Sequence, residues 1–203
     1  MHNFDNTILV ITPISHIKNV KNDLEKIGRV TIIDDPSINK IHKIIHKYDV
    51  IFTNPNKSKV FIGKKIIDKA IKLKVICTAS TGTNHIDLSY ARKKKIKIIS
   101  LKKEKKIIDK ISSTAEHAFA LTLASLRNII TSFESVLSEE WNYTKFIGRQ
   151  MNYLTVGIVG YGRLGKKYAN YCKVFNSKIN FYDPYKKSIS KKIKKITNLD
   201  KLL

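Results

Sequence analysis

Short apolar runs rich in β-branched residues recur along the chain: ILVIT at 8–12, VTII at 30–33, VIFT at 50–53, VIC at 75–77, IKIIS at 96–100, TVGIV at 155–159 and KINFY at 178–182. They are continuous rather than alternating, the pattern of strands covered on both faces. Segments of helical spacing lie between the early runs. Val20, Leu24 and Ile27 recur one helical turn apart, and Ile62, Ile66, Ile67, Ala70 and Ile71 follow the same period. Strand and helix in alternation predict βαβ units and parallel sheets. Pro13, Pro36, Pro55 and Pro184 each come just after a run, where a missing N–H ends pairing without breaking a ladder.

The pattern changes between 101 and 140. A basic loop precedes Ser112-Ser113-Thr114-Ala115-Glu116 and the apolar run AFALTLASLRNII. Ser113 and Glu116 have capping-box spacing, so one continuous helix is predicted from there to near Leu137. A long helix between two strand-rich regions reads as a connector. The predicted organisation is a first domain over 1–100, a basic linker over 101–112, and a second domain over 113–203 that opens with the connector. The segment Thr197 to Leu203 reads as the start of a further capped helix.

Composition narrows the function classes. The chain has 203 residues, 42% of them apolar, enough for a folded core. Its net charge of +23 invites a nucleic-acid reading. The lysines are spread through every segment, however, and aromatic residues are not interleaved with them, so no specific nucleic-acid surface is expected. The KKEKK run at 102–106 is expected to be a solvated loop. No apolar run is long enough to span a bilayer, and the N-terminus lacks the features of a secretory signal. The two cysteines, Cys77 and Cys172, stand far apart with no metal-binding spacing. A reduced, cytoplasmic setting is expected.

Gly160-Tyr161-Gly162-Arg163-Leu164-Gly165 is a G-x-G-x-x-G motif. It follows an apolar strand and opens a helix whose inner face is predicted to be Leu164, Tyr168, Cys172 and Phe175. The next strand ends in Asp183, about 20 residues past the loop. In that context each part has a physical task. Gly160 makes the turn, Gly162 lets a pyrophosphate approach the backbone, Gly165 allows close helix–strand packing, and the helix N-terminus presents free N–H groups. Asp183 would accept from both ribose hydroxyls and repel a 2′-phosphate, so the cofactor expected is NAD. Lys186 and Lys187 soften that preference. The competing reading is a glycine turn that binds nothing.

A second loop, Ala79-Ser80-Thr81-Gly82-Thr83-Asn84-His85-Ile86-Asp87, follows the strand VIC. Its small residues allow successive N–H groups to form an anion nest. It reads equally as an ordinary turn with Asp87 capping the next helix. His85 and His117 are candidates for a proton-transfer role, but no Glu is spaced to orient either. His42 and His46 stand one helical turn apart without a third ligand, so no metal site is expected.

Together, ASTGTNHIDLSYARKKKIKIIS, STAEHAFALTLASLRNI, VGIVGYGRLG and YDP resemble the D-isomer-specific 2-hydroxyacid dehydrogenases, especially phosphoglycerate dehydrogenase-like members. The resemblance runs over essentially the whole chain. It implies a flavodoxin-like parallel-sheet substrate domain followed by the first, incomplete half of a Rossmann NAD-binding domain. It implies that Ser80, Thr81 and Gly82 bind a substrate carboxylate, that Thr81 also lies near the nicotinamide, and that Arg163 and Leu164 bring their backbone to the pyrophosphate. The implied reaction is hydride transfer between a 2-hydroxyacid or 2-oxoacid and NAD, with a possible homodimer through the cofactor domain. The family's catalytic Arg, Glu and His are expected beyond Leu203, so this chain reads as truncated and inactive alone. The alternative is a non-catalytic NAD-binding or interaction module. One departure is the basic loop KKEKKIIDKI, which replaces the turn many relatives carry there.

Overall fold

The structure, a computed structural model, describes residues 6–55, 58–186 and 193–203. The chain divides into two compact units, Met1–Ile108 and Asp109–Leu203.

In the first unit, strands β1 (Thr7–Val10), β2 (Arg29–Ile32), β3 (Val50–Thr53), β4 (Val75–Thr78) and β5 (Lys97–Ser100) form one sheet. All pairings are parallel and the order is β2-β1-β3-β4-β5. That is a flavodoxin-like order, in line with the fold that the family resemblance implies. Helices α1 (Val20–Glu25), α2 (Ile38–Ile44), α3 (Lys64–Ile67) and α4 (Leu88–Lys93) lie between the strands, and α5 (Lys105–Ile108) follows the last of them.

Side chains alternate across a strand, and β1 shows what a continuous apolar run achieves. Leu9 joins a core with Ile41, Ile51, Ile66 and Ile76, while Ile8 and Val10 join Ile14, Val20 and Leu24 in another. Both faces are therefore covered. The outer strand β5 is not covered in this way: Ile99 is exposed. Two positions of the helical pattern also fall outside the core. Ile27 and Ile71 are exposed because α1 stops at Glu25 and α3 at Ile67, before the period reaches them. The KKEKK run is not only a loop. A 3-10 turn spans Leu101–Lys103 and α5 follows it.

The second unit contains α6 (Ser113–Leu126), α7 (Ile129–Leu137), β6 (Thr155–Val159), α8 (Arg163–Val174), β7 (Lys178–Tyr182) and β8 (Lys194–Lys195). Its three strands are parallel in the order β6-β7-β8, the first half of a Rossmann sheet. Phe119, Leu123 and Leu126 of α6 pack onto a core of Met151, Ile158, Ala169, Cys172, Ile179 and Phe181. A Thr122–Tyr168 hydroxyl pair at 2.7 Å links α6 to α8. Tyr168 and Cys172 lie on the inner face of α8 as expected. Ala169 joins them, and Phe175 remains 43% exposed.

Two local expectations are corrected and a third is met. The connector is two helices, broken at Asn128, whose φ of 52° is left-handed, a conformation that Asn tolerates better than most residues. The capping box does not form. Ser113 is already helical, and Ser112 takes the N-cap position with near-helical dihedrals that leave its hydroxyl without a capping bond. The stretch from Thr197 begins as the sequence suggests, with a capped helical turn. Asn198 Oδ1 accepts the Asp200 N–H at 2.8 Å, and the Leu203 N–H closes one isolated turn onto Leu199 O at 3.2 Å. Leu202 then lies against Gly157 of β6. Among the described residues no helix is long and apolar enough to cross a membrane.

Candidate functional site

The three motif glycines serve different purposes. Gly160 has a φ of +88°, so the turn off β6 requires a residue without a Cβ. At Gly165 an added Cβ would stand 2.1 Å from the Gly160 carbonyl oxygen, a backbone atom that has nowhere to go. Gly162 differs from both. Its φ is −80°, and a Cβ there would meet nothing within 4 Å. The fold does not demand glycine at 162. What the glycine leaves is open space directly at the N-cap of a 12-residue helix. The Lys166 N–H bonds to Gly162 O at 3.0 Å, so the first-turn N–H groups ahead of it face that space with the positive end of the helix dipole. A pyrophosphate fits such a cradle. The Arg163 guanidinium donates to Ile111 O at 2.6 Å, and Leu164 is half-buried.

Tyr161 was not legible as a site residue. It occupies a variable position of the motif, yet it is buried, its ring centroid 4.4 Å from that of Phe181. It wedges the loop onto β7. Its N–H donates to Asp183 Oδ2 at 2.8 Å, and the Tyr185 N–H donates to Oδ1 at 2.9 Å. Asp183 is 7% exposed. Burial alone would raise its pKa, but these two N–H groups and the nearby Lys186 and Lys195 charges outweigh it and hold the carboxyl below its ordinary value. The ionised carboxylate thus ties the glycine loop to the end of β7. Each oxygen keeps a lone pair for a ligand hydroxyl. Lys195, near this carboxylate, carried no sequence signal; Lys187 lies outside the described residues.

In the first unit the loop after β4 is pinned at both ends. The Leu101 N–H bonds Ser80 O at 3.0 Å, and Ile62 pairs with the backbone of His85 and Asp87 at 2.9 and 3.0 Å. Among the described residues, the N–H groups of Ser80, Thr81, Gly82, Thr83 and Asn84 meet no backbone acceptor. Thr81, Gly82 and Asn84 are exposed and border a shallow cavity of about 720 Å³ together with Phe61, Thr83 and Lys102. Asp87 also faces it and caps α4, accepting the Tyr90 N–H at 2.9 Å. The helix-cap reading of this loop is therefore realised, and the free N–H groups remain alongside it. Lys102 at the cavity is a residue that sequence reasoning assigned to a solvated run.

The histidines separate clearly. His85 is buried beneath the loop, its Nε2 3.1 Å from Thr78 Oγ1 and its Nδ1 without a partner. Burial lowers its pKa from 6.5. No carboxylate touches it among the described residues. His117 is exposed on α6. His42 and His46 belong to no group of three potential metal ligands among the described residues.

Comparison with known proteins covers both units. The catalytic-domain model of the D-isomer specific 2-hydroxyacid dehydrogenases matches residues 8–139, and the NAD binding domain model of the same family matches 119–203. The chain is 32% identical over 165 residues to the D-3-phosphoglycerate dehydrogenase of Archaeoglobus fulgidus, which covers 81% of this chain and 29% of that protein. It is 30% identical over 141 residues to the Bacillus subtilis D-3-phosphoglycerate dehydrogenase, covering 70% of this chain and 25% of the relative. A D-lactate dehydrogenase from Aquifex aeolicus, solved with NAD and lactic acid, superposes with a TM-score of 0.81 at 26% identity. That match covers 98% of this chain and 57% of the solved one. The chain thus spans less than a third of the curated relatives' length.

Proposed function

This chain belongs to the D-isomer specific 2-hydroxyacid dehydrogenase family, and on that premise we propose that it is the substrate-loop and cofactor-cradle portion of an NAD-dependent 2-hydroxyacid dehydrogenase acting on a phosphoglycerate-like substrate. Its second unit carries the opening of the family's NAD-binding domain. In the proposal, Gly160, Gly162, Arg163, Leu164 and Gly165 receive the pyrophosphate and Asp183 the adenosine ribose. Ser80, Thr81 and Gly82 receive the substrate carboxylate, and Thr81 is further assigned to the nicotinamide end through the family resemblance. NAD supplies the hydride acceptor when bound. The observation that carries the reading is the buried, ionised Asp183 bonded to the N–H of the glycine loop. It couples the ribose acid to the phosphate cradle through one short contact.

The same proposal holds that residues 1–203 alone do not transfer hydride. In support, neither His85 nor His117 is paired with a carboxylate among the described residues. The test is direct. Purified chain titrated with NADH is expected to enhance its fluorescence, with Asp183→Asn weakening binding about tenfold. No NADH should form from NAD and 3-phosphoglycerate. Turnover by this chain would refute the inactivity claim, and absence of any NADH binding would refute the cradle.

A pairing of two copies through α7 is the companion proposal. Phe133, Val136 and Trp141 are exposed and line one groove of about 490 Å³, an apolar surface of the kind self-association covers. Sedimentation of the chain and of Phe133→Asp distinguishes dimer from monomer.

A further inference from the structure

We propose that His85 is a positioning residue: its Nε2–H starts a one-way hydrogen-bond relay through Thr78 and Ser80 that fixes the Gly82 carbonyl and aims the adjoining N–H groups at an anion. The anion role rests on the carboxylate reading of this loop; the relay rests on geometry alone.

The direction of each bond follows from counting protons. The Ser80 hydroxyl donates to Gly82 O at 2.7 Å. A hydroxyl has one proton, so at 2.8 Å from Thr78 Oγ1 Ser80 can only accept. The single Thr78 proton is thereby used. At 3.1 Å from His85 Nε2, Thr78 accepts in turn, and Nε2 must carry a proton. Nδ1 is buried and has no partner among the described residues. A proton there would be an orphaned donor, whereas a lone pair is the less costly occupant. The ring is therefore the neutral Nε2–H tautomer, and the burial that lowers its pKa acts the same way.

The far end of the relay sets the loop. The peptide after Gly82 is trans, so its carbonyl and the Thr83 N–H point in opposite directions. With the carbonyl held on the Ser80 hydroxyl, the Thr83 N–H faces away from it. Gly82 needs no relief from steric crowding: a Cβ would sit 3.5 Å from Asn84 Oδ1, an ordinary contact. Between the backbone bonds that pin its ends, the loop is thus held by the hydroxyl relay beneath it and not by glycine strain.

The experiment uses the 203-residue chain and oxalate as probe. Nitrogen-15 NMR of the imidazoles is expected to show His85 protonated at Nε2 and bare at Nδ1. Oxalate is expected to shift the Thr81, Gly82 and Thr83 amide signals. His85→Gln keeps a donor near Nε2 and should bind within about threefold of wild type, while His85→Leu should bind about tenfold more weakly. Thr78→Val, which keeps shape and breaks the relay, should match His85→Leu and answers the question if the leucine variant does not fold. Equal losses in His85→Gln and His85→Leu would indicate packing only and overturn the relay, as would an Nδ1–H tautomer. Wild-type chain that shows the Nε2–H tautomer yet ignores oxalate would support the relay and overturn the carboxylate reading.

Discussion

Two parallel sheets in one chain answer the same folding problem differently. In the first unit the strand that enters the loop, β4, has partners on both sides, and its Ile76 is wholly buried. In the second, the strand that enters the glycine loop, β6, has β7 on one side and no strand on the other among the described residues. Its Val159 is 60% exposed, and only Ile158 of the strand is buried. One unit holds its loop with a completed sheet and side-chain relays. The other holds its loop with local devices: a left-handed glycine, a buried tyrosine and an aspartate bonded to the turn. The glycine loop is thus positioned by short-range contacts, whereas the loop after β4 also rests on a strand with a partner on each side.

The comparison can be broken most directly at the two cores. Ile76→Ala is expected to destabilise the first unit by about 4 kcal/mol, and Ile158→Ala the second by about 2, because the open-sided site relaxes more easily. Urea unfolding followed by hydrogen exchange in each unit checks both, and equal losses would remove the distinction. Next come the glycines. Gly160→Ala should lose about 1–2 kcal/mol from its positive φ. Gly165→Ala should lose about 3 from overlap with the Gly160 carbonyl. Gly162→Ala should leave thermal stability unchanged and weaken NADH binding alone; a stability loss there would show that the open space is structural.

A smaller effect is the pH dependence that His85 gives the first unit. His85 has a lowered pKa, so as pH falls below about 6.5 the unfolded chain takes up a proton that the folded ring resists. Stability of this unit is therefore expected to be full above that value and to decline on acidification until the folded ring also protonates. His85→Gln should flatten the decline. Smallest of all is the surface cluster at Asp68, which accepts from Tyr90 at 2.5 Å and pairs with Lys94 and Lys64 at 3.1 and 3.2 Å. These contacts hold its pKa at about 2. The group is solvent-exposed and screened, so Asp68→Asn should leave the melting midpoint within experimental scatter.

Much of this architecture was legible beforehand. Continuous apolar runs announced β1, β3 and β4, and the strand–glycine–helix–strand–acid series announced the unit that the NAD binding domain model matches. Other features were hidden for identifiable reasons. Strand β8 consists of two lysines and has no apolar period; Ile193 beside it supplies the burial. Tyr161 stands where the motif accepts any residue. Lys102 sat in a charge run that read as solvated, yet it borders the loop cavity. The break at Asn128 interrupts a segment whose composition is helical throughout.

What the sequence by itself determined is what depends on neighbours in the chain: which segments are strands, where glycine is obligatory at Gly160 and Gly165, and which acid follows the second strand at the right distance. Spacing encodes these because helices and strands have fixed periods and a turn has fixed dihedrals. The tertiary structure decided the rest. It placed Asp183 against the N–H of Tyr161, joined residues 78, 80, 82 and 85 into a directed relay, and left Gly162 facing open space while Gly165 is locked against a carbonyl. Those outcomes turn on angstrom-scale distances and on how many protons each donor can share, quantities that no residue pattern carries.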